Sequence, residues 1–266
     1  MNDLFKHINY LAPIDSLISS YIREYDISKA NINILLKHGA ITDDQYRYYF
    51  NLDRLDRQIQ VGLLLKNNPR FVPILKDGII EAKRNLFEAN DIQEYEVLSI
   101  KNDAVFLINK IPAITKFDNI EFSCKNVYTS FYKLLNKEYY YLFDMPNQIE
   151  KIDIKGINEQ KLILHQEYFL EFLLTLFSSA QTEPIEDTIG LLKTFYNNYI
   201  NRRLDIGYYR RFDGESCFDF NEISKYCTFK AKYIPQQYID QIDISYNLDI
   251  LTQLIKIYSG IYFQKK

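Results

Sequence analysis

The sequence predicts an α+β fold, with a small antiparallel sheet and short helices followed by a mostly helical second region. Three observations lead there. Residues 43–66 look helical, and apolar residues recur at helical spacing over 73–90. Apolar β-formers flank the short polar turn Lys101-Asn102-Asp103. Beyond Gly156 the pattern turns largely helical.

The elements follow in order. The run Tyr21-Ile22-Arg23-Glu24-Tyr25 reads as a strand leading to Asp26, and a helix is expected over 29–37. Over 43–66 a helix starts on Asp43 and Asp44, which suit its positive end, and Asn67-Asn68-Pro69 stops it. The next helix, 73–90, buries Leu75, Ile79, Ala82 and Leu86, tolerates Gly78 at a cost, and carries Lys76, Lys83 and Arg84 on its polar face. A hairpin comes directly after it: Tyr95-Glu96-Val97-Leu98-Ser99-Ile100, the turn, then Ala104-Val105-Phe106-Leu107-Ile108. Residues 119–156 are mixed, with β-like runs at Glu121-Phe122-Ser123, at Glu138-Tyr139-Tyr140-Tyr141-Leu142-Phe143 and at Ile152-Asp153-Ile154. A short helix is expected over 127–135. Helices follow over 165–179 and 184–201, a polar loop over 210–219, and a last helix on Ile250, Leu251, Leu254, Ile255 and Tyr258.

Composition bounds the function. With 47% hydrophobic and 25% charged among 266 residues, the chain reads as globular. No apolar run is long enough to span a bilayer, and Met1-Asn2-Asp3-Leu4-Phe5-Lys6-His7 lacks the layout of a signal peptide. The expectation is a cytoplasmic protein with no membrane partner. Cys124, Cys217 and Cys227 are odd in number and far apart, so free thiols are expected. His7, His38 and His165 are too few for a histidine metal cage or a convincing triad. Catalysis, if present, falls to carboxylates and lysines. A net charge of -3 argues against bulk attraction to nucleic acid, yet Arg54, Arg57, Lys66 and Arg70 cluster, as do Arg202, Arg203, Arg210 and Arg211. The 23 tyrosines and absent tryptophan fit an AT-rich genome, viral or from a low-GC bacterium.

Five short motifs, taken in order, resemble those of a family-B template-dependent DNA polymerase. Asp26-Ile27-Ser28-Lys29-Ala30-Asn31 is similar to that family's first catalytic motif, with Asp26 in the metal-ligand position. Arg54-Leu55-Asp56-Arg57-Gln58-Ile59-Gln60-Val61-Gly62 resembles its fingers pattern. Ser99-Ile100-Lys101-Asn102-Asp103-Ala104-Val105-Phe106 resembles its second catalytic motif, with Asp103 on the second aspartate. Lys137-Glu138-Tyr139 and Lys155-Gly156-Ile157 look like its primer-strand motif and the stretch leading into its thumb.

The resemblance implies a palm-like region with short helical fingers, 1–156 with fingers at about 40–70, then a helical thumb-like region, 157–266. It implies primer extension with Mg2+ or Mn2+ held by Asp26 and Asp103. Arg54, Arg57 and Gln58 then meet the nucleotide, and Lys137, Tyr139, Lys155, Arg202 and Arg203 the nucleic acid. Primer-template and nucleoside triphosphate are the implied partners, with a second protein chain in view because the family's N-terminal and exonuclease regions have no counterpart before Asp26. Lys101, Val61 and Asn31 depart from the pattern, replacing an aspartate and two tyrosines.

Other readings stay open beside this one. Asp26 also suits an N-cap, and Asp103 suits turn geometry. Arg54 and Arg57 also suit pairing with Asp53 and Asp56 on a solvated helix face. His165 suits a helix start, the Tyr139-Tyr140-Tyr141 run a strand of alternating burial, and the later arginines a plain surface. Two further functions remain in view: a silent polymerase-like subunit that binds nucleic acid or a replication partner, and a helical interaction protein whose carboxylates lie far apart.

Overall fold

The computed structural model describes residues 3–155, 167–211 and 240–265, and its class is α+β, with antiparallel strand pairs. Contacts divide the chain into two compact units, Met1–Pro13 with Tyr21–Val127, and Ile14–Ser20 with Tyr128–Lys266.

The first unit holds β1 (Asn9–Leu11), β3 (Ile22–Ile27), α1 (Ala30–Lys37), α2 (Asp43–Asn51), α3 (Arg54–Asn67), α4 (Phe71–Ala89), β4 (Val97–Lys101), β5 (Ala104–Ile108), β6 (Lys116–Phe117) and β7 (Ile120–Tyr128). β2 (Ser16–Leu17) lies between β1 and β3 in sequence and belongs to the second unit. The six strands run in the order β1-β4-β5-β3-β7-β6, so β3 is interior. Their apolar side chains join those of α1 and α4 in one core that includes Ile34, Leu35, Leu86, Ile100 and Val105.

The expected single helix over 43–66 is two helices. Thr42 opens α2 with a reciprocal capping box to Gln45, and Asp53 opens α3 by accepting a hydrogen bond from the Asp56 backbone N–H at 2.8 Å. Leu52 and Asp53 are extended between them, so the chain is free to turn α3 independently of α2. α4 begins at Phe71, before Pro73, because the first turn needs no proline N–H.

Gly78 is fixed by a close approach of α4 to α1. A Cβ there would overlap Ile34 Cγ2 and sit 3.1 Å from His38 Nε2. Ile34 is β-branched and fully buried, so it has no room to yield. Gly78→Ala is expected to destabilise by on the order of 1–2 kcal/mol, overpacking outweighing the better helix propensity. A urea unfolding midpoint equal to or above the wild type would contradict it.

The second unit holds β2, β8 (Ser130–Leu134), β9 (Lys137–Asp144), β10 (Ile149–Lys155), α5 (Glu167–Thr182), α6 (Ile185–Ile200), the two-residue strands β11 (Arg210–Arg211) and β12 (Ile242–Asp243), and α7 (Ser245–Gln264). Its sheet order is β10-β9-β8-β2. The short helix expected over 127–135 is instead strand: Phe131 and Tyr132 favour a pleated, packed surface, and β8 forms a hairpin with β9 in the register Leu134↔Lys137. Tyr139, Tyr140 and Tyr141 do not alternate in burial, since all three are fully buried. Aromatic packing accounts for much of the tyrosine content. Tyr132 stacks on Phe177 at 4.0 Å, and its hydroxyl pairs with that of Tyr258 at 2.9 Å.

Candidate functional site

β3 carries one acidic face. Successive strand residues point to opposite sides, so Glu24 and Asp26 share a face while Tyr25 and Ile27 are buried on the other. Lys29, in left-handed conformation at φ 50, turns the chain into α1 and provides no side-chain cap. Asp26 therefore sits in the strand, and its alternative role as an N-cap is not what the structure has. The loop after it is tied down on three sides. The Ser28 N–H donates to the Glu121 carbonyl at 2.9 Å, Asn33 Nδ2 donates to the Ser28 carbonyl at 2.7 Å, and Tyr46 Oη donates to Asn33 Oδ1 at 2.9 Å.

Asp103 lies in the two-residue turn between β4 and β5, where Lys101 pairs with Ala104. Asn102 takes the left-handed position at φ 53, which asparagine tolerates, and its N–H donates to the Ile8 carbonyl at 2.7 Å. The register Tyr25↔Val105 brings the end of β3 alongside the start of β5, and so brings Asp26 to the Asp103 turn. The two carboxylates meet. Burial, the charge of Asp26 and a hydrogen bond between the pair raise the Asp103 carboxyl to about 6, against opposing help from its own backbone N–H and from Lys83. The wide separation expected of a chance motif match is absent.

Both carboxylates line an open cavity of about 900 Å3, within the range of ligand sites. Arg54, Arg57, Gln58 and Val61 of α3 line it too, because their spacing places them on one helical face. Arg54 begins α3 and is exposed, with no ion pair to Asp53 or Asp56 among the described residues. Arg57 is half-buried and donates to the Leu52 carbonyl at 3.0 Å. Lys29 joins these basic residues: burial, then the neighbouring Arg57 charge, lower its pKa, and its Nζ sits over the Phe50 ring. The cavity is thus lined by both acidic and cationic side chains.

Several lining residues escaped the sequence reading. Glu24, an acceptor for Asn126 Nδ2 at 2.7 Å, was signalled by its spacing of two from Asp26 in a strand. Lys29, Asn102 and Lys125 also line the cavity. Lys83 corrects an expectation outright. It is not on a polar face of α4 but fully buried, donating to the His7 carbonyl, and burial lowers its pKa to about 8 despite the favourable charge of Asp103.

The residues expected on a primer strand belong to the second unit, whereas the cavity is lined by the first. Tyr139 is a correction: its ring is fully buried in the core and has no surface to offer nucleic acid. Lys137 is half-buried at the hairpin end of β9, and Lys155 forms an ion pair with Asp153 at 2.8 Å. Arg202 and Arg203 are exposed just beyond α6. Gly156, Ile157 and His165 lie outside the described residues.

The donor set fits a divalent cation. Two carboxylates pressed together, one made harder to ionise by the other, form an arrangement that a cation relieves. Among the described residues no group of three or more His, Cys, Asp and Glu side chains assembles for a metal, so further oxygens would come from backbone, water or ligand. No described helix is long and apolar enough to cross a membrane.

Comparison with the curated proteins finds no match. A model of the bacteriophage PBS1 gene 130 protein matches residues 1–259, and its description names no polymerase. With nearly the whole length matched, the chain belongs to the bacteriophage PBS1 gene 130 protein family.

Proposed function

We propose that the first unit carries the active site of a template-dependent nucleotidyltransferase of DNA polymerase type, extending a primer on a template. One observation carries this reading. Two carboxylates from distant motifs meet in a single cavity, which is also lined by Arg54, Arg57 and Gln58, the residues the same resemblance gives to the incoming nucleotide.

In this reading Asp26 and Asp103 hold Mg2+ or Mn2+. When bound, such cations activate the primer hydroxyl and neutralise triphosphate charge. Arg54 and Arg57 bind and orient the triphosphate, each charge-assisted hydrogen bond stronger than a neutral one. Gln58 lies one residue along the same helical face and supplies a neutral donor and acceptor. The ties from Asn33 to Ser28 and Tyr46 hold the loop behind Asp26 in place, which serves catalysis by keeping the reacting groups in register.

A second reading, a silent polymerase-like subunit that binds nucleic acid, draws support from the absence of a three-ligand acidic group among the described residues. Primer extension on a primed template with Mg2+ or Mn2+ separates the two. Extension by the wild type that Asp26→Ala and Asp103→Ala both lose supports the enzyme. Equal signals from all three proteins would sink it, and binding of primer-template without extension would favour the silent subunit, alone or with a second chain.

A further inference from the structure

Lys83 is the charged group in the first unit that the proposed reaction leaves unexplained. Its side chain has 0% exposure on α4, between Ala82 and the core residues Leu86 and Phe87. Among the described residues its hydrogen bond is to the His7 carbonyl. A lone carbonyl dipole is poor compensation for an ammonium taken out of water, which costs several kcal/mol unless a counter-charge is near.

The charge that acts on Lys83 is that of Asp103, at longer range than a direct ion pair. The charges of Lys83 and Asp103 act on one another, each favouring the ionised form of its partner. Backbone connections fix the pair in place. Consecutive carbonyls of one segment serve both groups: His7 accepts from Lys83, and Ile8 accepts from the N–H of Asn102 at 2.7 Å, in the turn that carries Asp103. The pairing Asn9↔Lys101 continues that attachment into β1 and β4.

We propose that Lys83 is a built-in counter-cation of the Asp26–Asp103 pair, a positioning residue that holds the two carboxylates together before a metal arrives and tempers the affinity with which a divalent cation then binds. The second half rests on the metal reading of the site; the first does not. Without Lys83, two negative charges would face each other in a partly buried site without the buried cation that lowers the Asp103 pKa. With it, the empty site folds, and the same positive charge repels an incoming cation.

The test uses the full chain in four forms: wild type, Lys83→Gln, Asp103→Asn and the double variant. Glutamine keeps a donor toward the His7 carbonyl and removes the charge. Urea unfolding at neutral pH closes a double-mutant cycle. Lys83→Gln is expected to be more costly to the unfolding midpoint with Asp103 present than in the Asp103→Asn background, so that the cycle shows a coupling between the two side chains. Equal losses in both backgrounds would overturn the proposal. Should Lys83→Gln fail to fold, a folded double variant supports it and an unfolded one overturns it. Calorimetric titration with Mn2+ supplies the second readout: Lys83→Gln is expected to bind about tenfold more tightly than wild type. Unchanged affinity would remove the tempering role. A wild type that binds no Mn2+ would overturn the metal reading of the site, and the unfolding cycle alone would then judge Lys83.

Discussion

Asp26→Ala and Asp103→Ala proteins are expected to extend a primed template at least about a thousandfold more slowly than wild type, which corresponds to roughly 4 kcal/mol of lost transition-state stabilisation. The size of the effect follows from the chemistry proposed. Charge neutralisation at the transferring phosphate dominates such reactions, and both carboxylates would hold the cation that supplies it. Arg54 and Arg57, which line the same cavity, cannot substitute, because a guanidinium cannot hold a divalent cation. Steady-state extension rates at saturating nucleotide check this, and residual rates within tenfold of wild type would contradict it.

The same carboxylate carries a stability prediction of opposite sign. Its folded pKa is raised from 3.8 to about 6, mainly by burial and next by Asp26, so between those values the native state holds a proton that the unfolded chain has lost. Stability therefore falls as pH rises through about 4 to 6, and the deficit is complete above that window. Asp103→Asn is expected to flatten this fall and to be more stable than wild type at pH 7.5, by on the order of 1–2 kcal/mol after discounting for solvent screening. Thermal melts at pH 4 and pH 7.5 without divalent cations test it. A variant less stable than wild type at the higher pH would refute it. Residues kept for function at a cost in stability show this pattern.

Phe177→Ala is the second large expected effect. The ring is fully buried in the second unit, stacked on Tyr132 at 4.0 Å with planes 8° apart, and edge-on to Tyr141 at 5.7 Å. Truncation removes the transfer free energy of a phenyl ring, leaves a cavity and strips Tyr132 of its stacking partner. Tyr132 cannot swing into the space without breaking its hydroxyl pairing with Tyr258 at 2.9 Å. A loss of about 3–5 kcal/mol is expected by chemical denaturation. A loss below about 1 kcal/mol would mean that this aromatic layer repacks freely.

The hairpin at Asp103 and the strand before Asp26 were legible because short apolar runs and a polar turn are local signals. The break between α2 and α3 had a local signal too. Asp53 caps the Asp56 N–H, but the acidic start at Asp43 and Asp44 and the stop at Asn67-Asn68-Pro69 frame the whole stretch as one helix. Lys83 was on the page as well: it stands four residues after Ile79 and four before Phe87, on the buried stripe itself. A helical period says which side a residue occupies, yet a lysine there reads as polar face until its counter-charge is known. Strand β8 holds the strand formers Phe131 and Tyr132, but a run of five residues is too short to tell strand from helix until its pairing with β9 is known.

By itself the sequence determined the α+β class, most of the helices and the acidic turn, since these follow from periodicity, capping and turn chemistry within a few residues. The meeting of Asp26 with Asp103, the cationic side chains lining the same cavity and the burial of Lys83 and Tyr139 were decided only in three dimensions. Strand register joins residues far apart in the chain, and a side chain's charge state and exposure depend on neighbours that no local window contains.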